Sequence, residues 1–175
     1  MKLKILLLLQ LIFFAVMGGW FYLNREKYIA EFWLETVPAD PRDYISGTYN
    51  ELRYAQESKA QECLSEIYDK KTYKYSAYLE FGPSEKKFEL KDGGSGYFYE
   101  IKNCSFEKKE GKYWILTEIS YRNSKIVPIF PHKFFLNEND ERKKISSGKA
   151  AVKFRILKNK KLGLIDLKET KNENI

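Results

Sequence analysis

Residues 37–54 read VPADPRDYISGTYNELRY, and this stretch decides where the folded body begins. Pro38 ends whatever element precedes it. Asp40-Pro41 opens a turn, with φ preset by the ring and an Asx cap available. Gly47 takes a backbone conformation closed to other residues. Tyr49, Leu52 and Tyr54 then mark a strand whose three-then-two spacing predicts a bulge. Arg42 lies between Asp40 and Asp43, where it either ties the turn together or stands ready for a ligand.

Upstream of the turn, residues 5–23 read ILLLLQLIFFAVMGGWFYL, nineteen residues without a charge and with Gln10 as the one strongly polar side chain. At helical rise they cover about 28 Å, near the hydrocarbon thickness of a bilayer. Trp20 and Tyr22 stand at one end, where aromatic rings prefer the headgroup zone. A cleaved signal peptide is the competing reading, with Val16 and Gly18 as small-residue positions. The apolar run continues beyond them through Leu23, longer than an ordinary signal core. The expectation is an uncleaved transmembrane anchor over 1–27, touching the lipid bilayer through residues 5–23. Lysines before the run set the N-terminus in the cytoplasm and the body outside it. Through NREKYIAEFWLE, the i, i+3/i+4 spacing of Tyr28, Ile29, Phe32 and Trp33 predicts a continuing helix.

Downstream, the pattern turns to short strands. Tyr73, Tyr75, Ala77, Leu79 and Phe81 alternate with other residues, and Gly82-Pro83 is expected to end that strand. KFELK and GYFYEIK flank DGGSG as a hairpin. YWILTEISY is the most apolar strand, and AVKFRIL and KLGLIDL form a closing hairpin. Residues 58–71 are the exception: Ala60, Cys63, Leu64, Ile67 and Tyr68 make a helical stripe. Aromatic content of 16% suits half-buried strands. The fold class expected is mainly β: a transmembrane helix, then a β-rich sandwich or open-barrel domain over 28–175 with one short helix.

The net charge of +7 is unevenly spread. Residues 28–141 hold 16 basic and 20 acidic side chains, and 142–175 hold 11 and 3. Such a block favours an anionic lipid surface or an acidic partner; the plainer reading is a hairpin with a solvated lysine face. No nucleic-acid motif accompanies the charge, so no nucleic-acid partner is expected.

Chemistry is sparse. His132 is the one histidine in the chain, and two cysteines beside it fall short of four-ligand zinc spacing; no metal and no cofactor are expected. The ring of His132 reads as packed or surface-lying. GGSG lacks the spacing of a nucleophile elbow. Cys63 and Cys104 are either a disulfide closing a long loop or two buried thiols.

The opening stretch resembles the signature of the GDYXXLXY family of bacterial membrane-anchored proteins, in which a P-V-D-P-R-D segment precedes G-D-Y-x-x-L-x-Y. Pro38, Asp40, Pro41, Arg42, Asp43, Gly47, Tyr49, Leu52 and Tyr54 fall in the matching places. HKFFLNENDERKKI is similar to the family's aromatic-Phe-x-x-Glu segment through Phe134, Phe135 and Glu138, and the last hairpin resembles its closing one. One position departs: the family's aspartate is Thr48, which keeps a capping hydroxyl and loses a carboxylate. The resemblance implies a single-span protein of undetermined biochemical role beside a multi-pass membrane partner. It transfers no catalytic residue. The function expected is a non-enzymatic, membrane-anchored extracytoplasmic domain accessory to that partner. The alternative is a cell-envelope or small-ligand binding module built on Arg42 and nearby aromatics.

Overall fold

Tyr28–Val37 forms strand β1, the spine of the body, in a computed structural model describing residues 2–23, 28–37, 49–69, 73–122, 125–137, 139–145 and 148–171. Ala30, Phe32, Leu34 and Thr36 alternate along one face and are buried. On the other face Trp33 packs against a second apolar cluster of Phe88, Leu90, Phe98 and Ala151. The helix expected over this segment is therefore a strand. Apolar residues on both faces mask the period of two and mimic helical spacing.

The other strands follow as β2 (Tyr49–Glu51), β3 (Arg53–Tyr54), β4 (Ser76–Glu89), β5 (Ser95–Ser105), β6 (Trp114–Arg122), β7 (Lys125–Pro128), β8 (Lys133–Phe135), β9 (Ala150–Leu157) and β10 (Leu162–Glu169). Helix α1 covers Lys2–Leu23, and α2 covers Gln56–Ile67. Eight strands make one sheet along the path β10-β9-β1-β5-β4-β6-β7, with β3 pairing to β1; β2 and β8 make a separate pair. All pairings are antiparallel except β1 with β5, which meet at Trp33 and Phe98. The core lies between this sheet and α2. Phe32 stacks on Phe81 with ring centroids 4.9 Å apart, and Phe154 meets Tyr54 edge-on at 5.4 Å.

Several expectations are corrected here. Among the described residues no helix is long and apolar enough to cross a membrane, which overturns the transmembrane helix expected at the N-terminus. Helix α1 is formed over Lys2–Leu23. The β-rich body expected is present as one eight-stranded sheet with a two-stranded satellite, beside α2. Strand β4 does not stop at Gly82-Pro83. Those residues pair with Glu100 and Tyr99, and the strain is absorbed by a register shift between Pro83 and Lys87. The bulged strand expected over Tyr49–Tyr54 is two strands that change partner at Leu52.

The hairpins and the second helix agree with the pattern that predicted them. Gly93 supplies positive φ in the β4–β5 turn, which closes through Leu90 N–H donating to the Gly94 carbonyl at 2.7 Å. Helix α2 buries Gln56, Ala60 and Leu64 and leaves Ile67 exposed.

Candidate functional site

The motif segment enters the body at the far end of β1 from α1. Thr36 and Val37 pair with Tyr54 and Arg53. Before that, β2 pairs with β8, placing Tyr49 opposite Phe135, Asn50 opposite Phe134 and Glu51 opposite Lys133. The two segments that carried the family resemblance, about 80 residues apart in sequence, are thus hydrogen-bonded neighbours. Asp40, Arg42, Asp43, Gly47, Thr48 and Glu138 lie outside the described residues, and so does any arrangement of Arg42 with its flanking acids.

Leu52 is the hinge between the two pairings. Its N–H donates to the His132 carbonyl at 2.7 Å, and its own carbonyl sits 3.0 Å from His132 Nδ1. A carbonyl only accepts, so Nδ1 carries a proton in this contact. The Leu52 side chain is 1% exposed within the core.

Tyr54 is the deepest polar side chain of the motif at 2% exposed. Its hydroxyl donates to the Pro131 carbonyl, and its ring lies over that of His132 at 6.1 Å. Burial first, and then the charge of Glu57, push the phenol well above its ordinary range. A phenol so placed stays protonated near neutral pH. Glu57 reaches back to accept the Tyr54 N–H at 2.9 Å, tying α2 to the end of β3. Its carboxylate lies 3.6 Å from His132 Nδ1. Next to them, the buried Gln56 accepts the Ile101 N–H at 3.0 Å, tying α2 to β5.

A second polar knot borders β8. Arg142 donates to Asp140 at 2.7 Å and to Asp166 at 3.0 Å, with its guanidinium 5.3 Å above the Phe134 ring. Asp140 also caps the short 3-10 helix Glu141–Lys144 by accepting the Arg142 N–H. Cys63 of α2 and Cys104 of β5 form a disulfide with Cα atoms 6.1 Å apart.

Each polar atom named is committed to a backbone or ion-pair partner, and among the described residues no buried side-chain polar atom lacks one. No group of three His, Cys, Asp or Glu among them is placed to hold a metal ion. Sequence reasoning passed over Glu57, Pro131, Arg142 and Asp166.

A cleft lies elsewhere. It measures about 470 Å³ and is lined by Tyr78, the β5–β6 turn at Lys108, Lys109, Glu110 and Gly111, and the β9–β10 turn at Lys158, Asn159 and Lys160.

A family model described as GDYXXLXY protein matches residues 12–159. No curated protein and no solved structure matches the chain.

Proposed function

The chain belongs to the GDYXXLXY protein family, and on that premise we propose that it is a non-enzymatic extracytoplasmic domain, held at the cell membrane and accessory to an integral-membrane partner. The observation that carries this reading is the surface of α1. Leu7, Leu8, Leu9, Leu11, Ile12 and Phe13 are all more than half exposed, and so are Phe14, Val16, Trp20 and Tyr22. A helix apolar on every side demands an apolar surrounding, and about 0.8 kcal/mol per buried methylene rewards finding one. Lipid or the helices of a multi-pass protein supply it.

The disulfide supports placing the body in an oxidising compartment, outside the cytoplasm. The motif end supports a role without catalysis, because its tyrosine, histidine and glutamate are spent on backbone hydrogen bonds.

Fractionation of cells making the full chain, followed by pull-down in mild detergent, tests the reading. The expected result is recovery in the membrane pellet with a multi-pass protein attached. Full-length chain in the soluble fraction, with two alkylatable thiols and no membrane protein attached, overturns it.

A further inference from the structure

The lysine cleft and the apolar helix share one end of the body. Tyr28, the first residue of β1, pairs with Leu157, the last residue of β9. The turn carrying Lys158 and Lys160 starts at the next residue. Only five peptide steps separate Leu23, where α1 ends, from Tyr28, and these reach at most about 18 Å. The β5–β6 turn is drawn to the same place: Leu116 N–H donates to the Lys160 carbonyl at 2.9 Å, and Lys160 Nζ bonds the Gly111 carbonyl.

Four lysines and a single carboxylate, Glu110, line the cleft. Lys108 and Lys158 have no ion-pair partner among the described residues, and Lys109 reaches Glu107 only at 3.9 Å. Cations gathered around a concave opening focus positive potential there. The opposite end of the β9–β10 hairpin is different in kind: Lys91 and Lys168 are each bonded to a carboxylate at 2.6 Å.

We propose that the cleft lined by Lys108, Lys109, Lys158 and Lys160 seats the phosphates of anionic phospholipid headgroups, so that the body rests on the membrane by its α1 end. The proposal rests on the membrane reading above and adds to it the surface that faces the lipid. Phosphate is the chemistry the ammonium groups would recognise. Lipid is the source because the apolar helix leaves the body beside this cleft. Each lysine at an anionic surface adds attraction that fades beyond a Debye length, about 10 Å at 0.1 M salt.

The test is amine acetylation of the full chain in vesicles, read residue by residue by mass spectrometry. One set of vesicles is phosphatidylcholine alone; the other carries one third phosphatidylglycerol. The expected result is labelling of Lys108 and Lys158 slowed by roughly threefold or more in the anionic vesicles and restored by 1 M salt. Lys91 and Lys171 should label alike in both. A Lys108→Gln, Lys158→Gln variant should lose the salt-sensitive protection of Lys109 and Lys160. Equal labelling in both lipids, with the chain still vesicle-bound, overturns the headgroup seat and leaves the membrane reading standing. Failure to bind either vesicle overturns both. Protection by millimolar inorganic phosphate or pyrophosphate over phosphatidylcholine alone would assign the cleft to a small soluble anion instead.

Discussion

The two ends of β1 are built on opposite plans. At Val37 the chain meets a closed knot, where Tyr54, Glu57, His132 and Leu52 satisfy one another and aromatic rings fill the space between. At Tyr28 it meets an open cleft whose lysines outnumber their carboxylates. The ten residues between span about 30 Å. The family motif belongs to the closed end. Its described Leu52 and Tyr54 are buried there and spent on folding.

If that division is right, damage to the motif end should unfold the body and damage to the lysine end should not. The largest effect expected is from removing the disulfide. Cys63→Ala with Cys104→Ala opens a loop of separation 41, costing about 4 kcal/mol by chain entropy, measured by denaturant midpoint against the oxidised protein. Leu52→Ala follows, at about 3 kcal/mol, because the side chain is fully enclosed and its loss leaves a cavity.

Tyr54→Phe should cost about 1 kcal/mol by removing the hydroxyl from Pro131. The same variant sharpens the comparison through pH. The folded phenol is held above its ordinary value, so its contribution is fully present below about pH 10, the value of an unfolded tyrosine, and is lost as pH climbs toward the raised one. Wild-type stability should therefore fall above pH 10 more steeply than that of the phenylalanine variant, read by equilibrium unfolding at stepped pH. The smallest effect belongs to Lys108→Gln with Lys158→Gln, expected within about 0.5 kcal/mol of wild type. A loss of 2 kcal/mol there would erase the contrast between the ends.

What the sequence disclosed depended on how far apart the interacting pieces lie. The β4–β5 and β9–β10 hairpins were legible because strand alternation and turn chemistry sit within one short window. Helix α2 was legible from its Ala60 and Leu64 stripe. Strand β1 was not, since Phe32 and Trp33 face two different clusters and the resulting pattern imitates a helix. Continuation of β4 through Gly82-Pro83 needed knowledge of its partner β5. At the site, Leu52 and Tyr54 were marked by the motif, but their partners Pro131 and His132 stand nearly 80 residues away and left no local trace. The basic character of the last hairpin was visible in composition. Its convergence with Lys108 and Lys109 into one cleft was not, because that depends on the Lys160 carbonyl meeting β6.

Protease added to intact spheroplasts tests the central claim most directly, which is that the β-rich body stands outside the cytoplasm at the membrane surface. The account predicts that external protease degrades the body while cytoplasmic markers survive, with the remnant bearing α1 pelleting with the membrane. A body that resists digestion until the cells are lysed would contradict it.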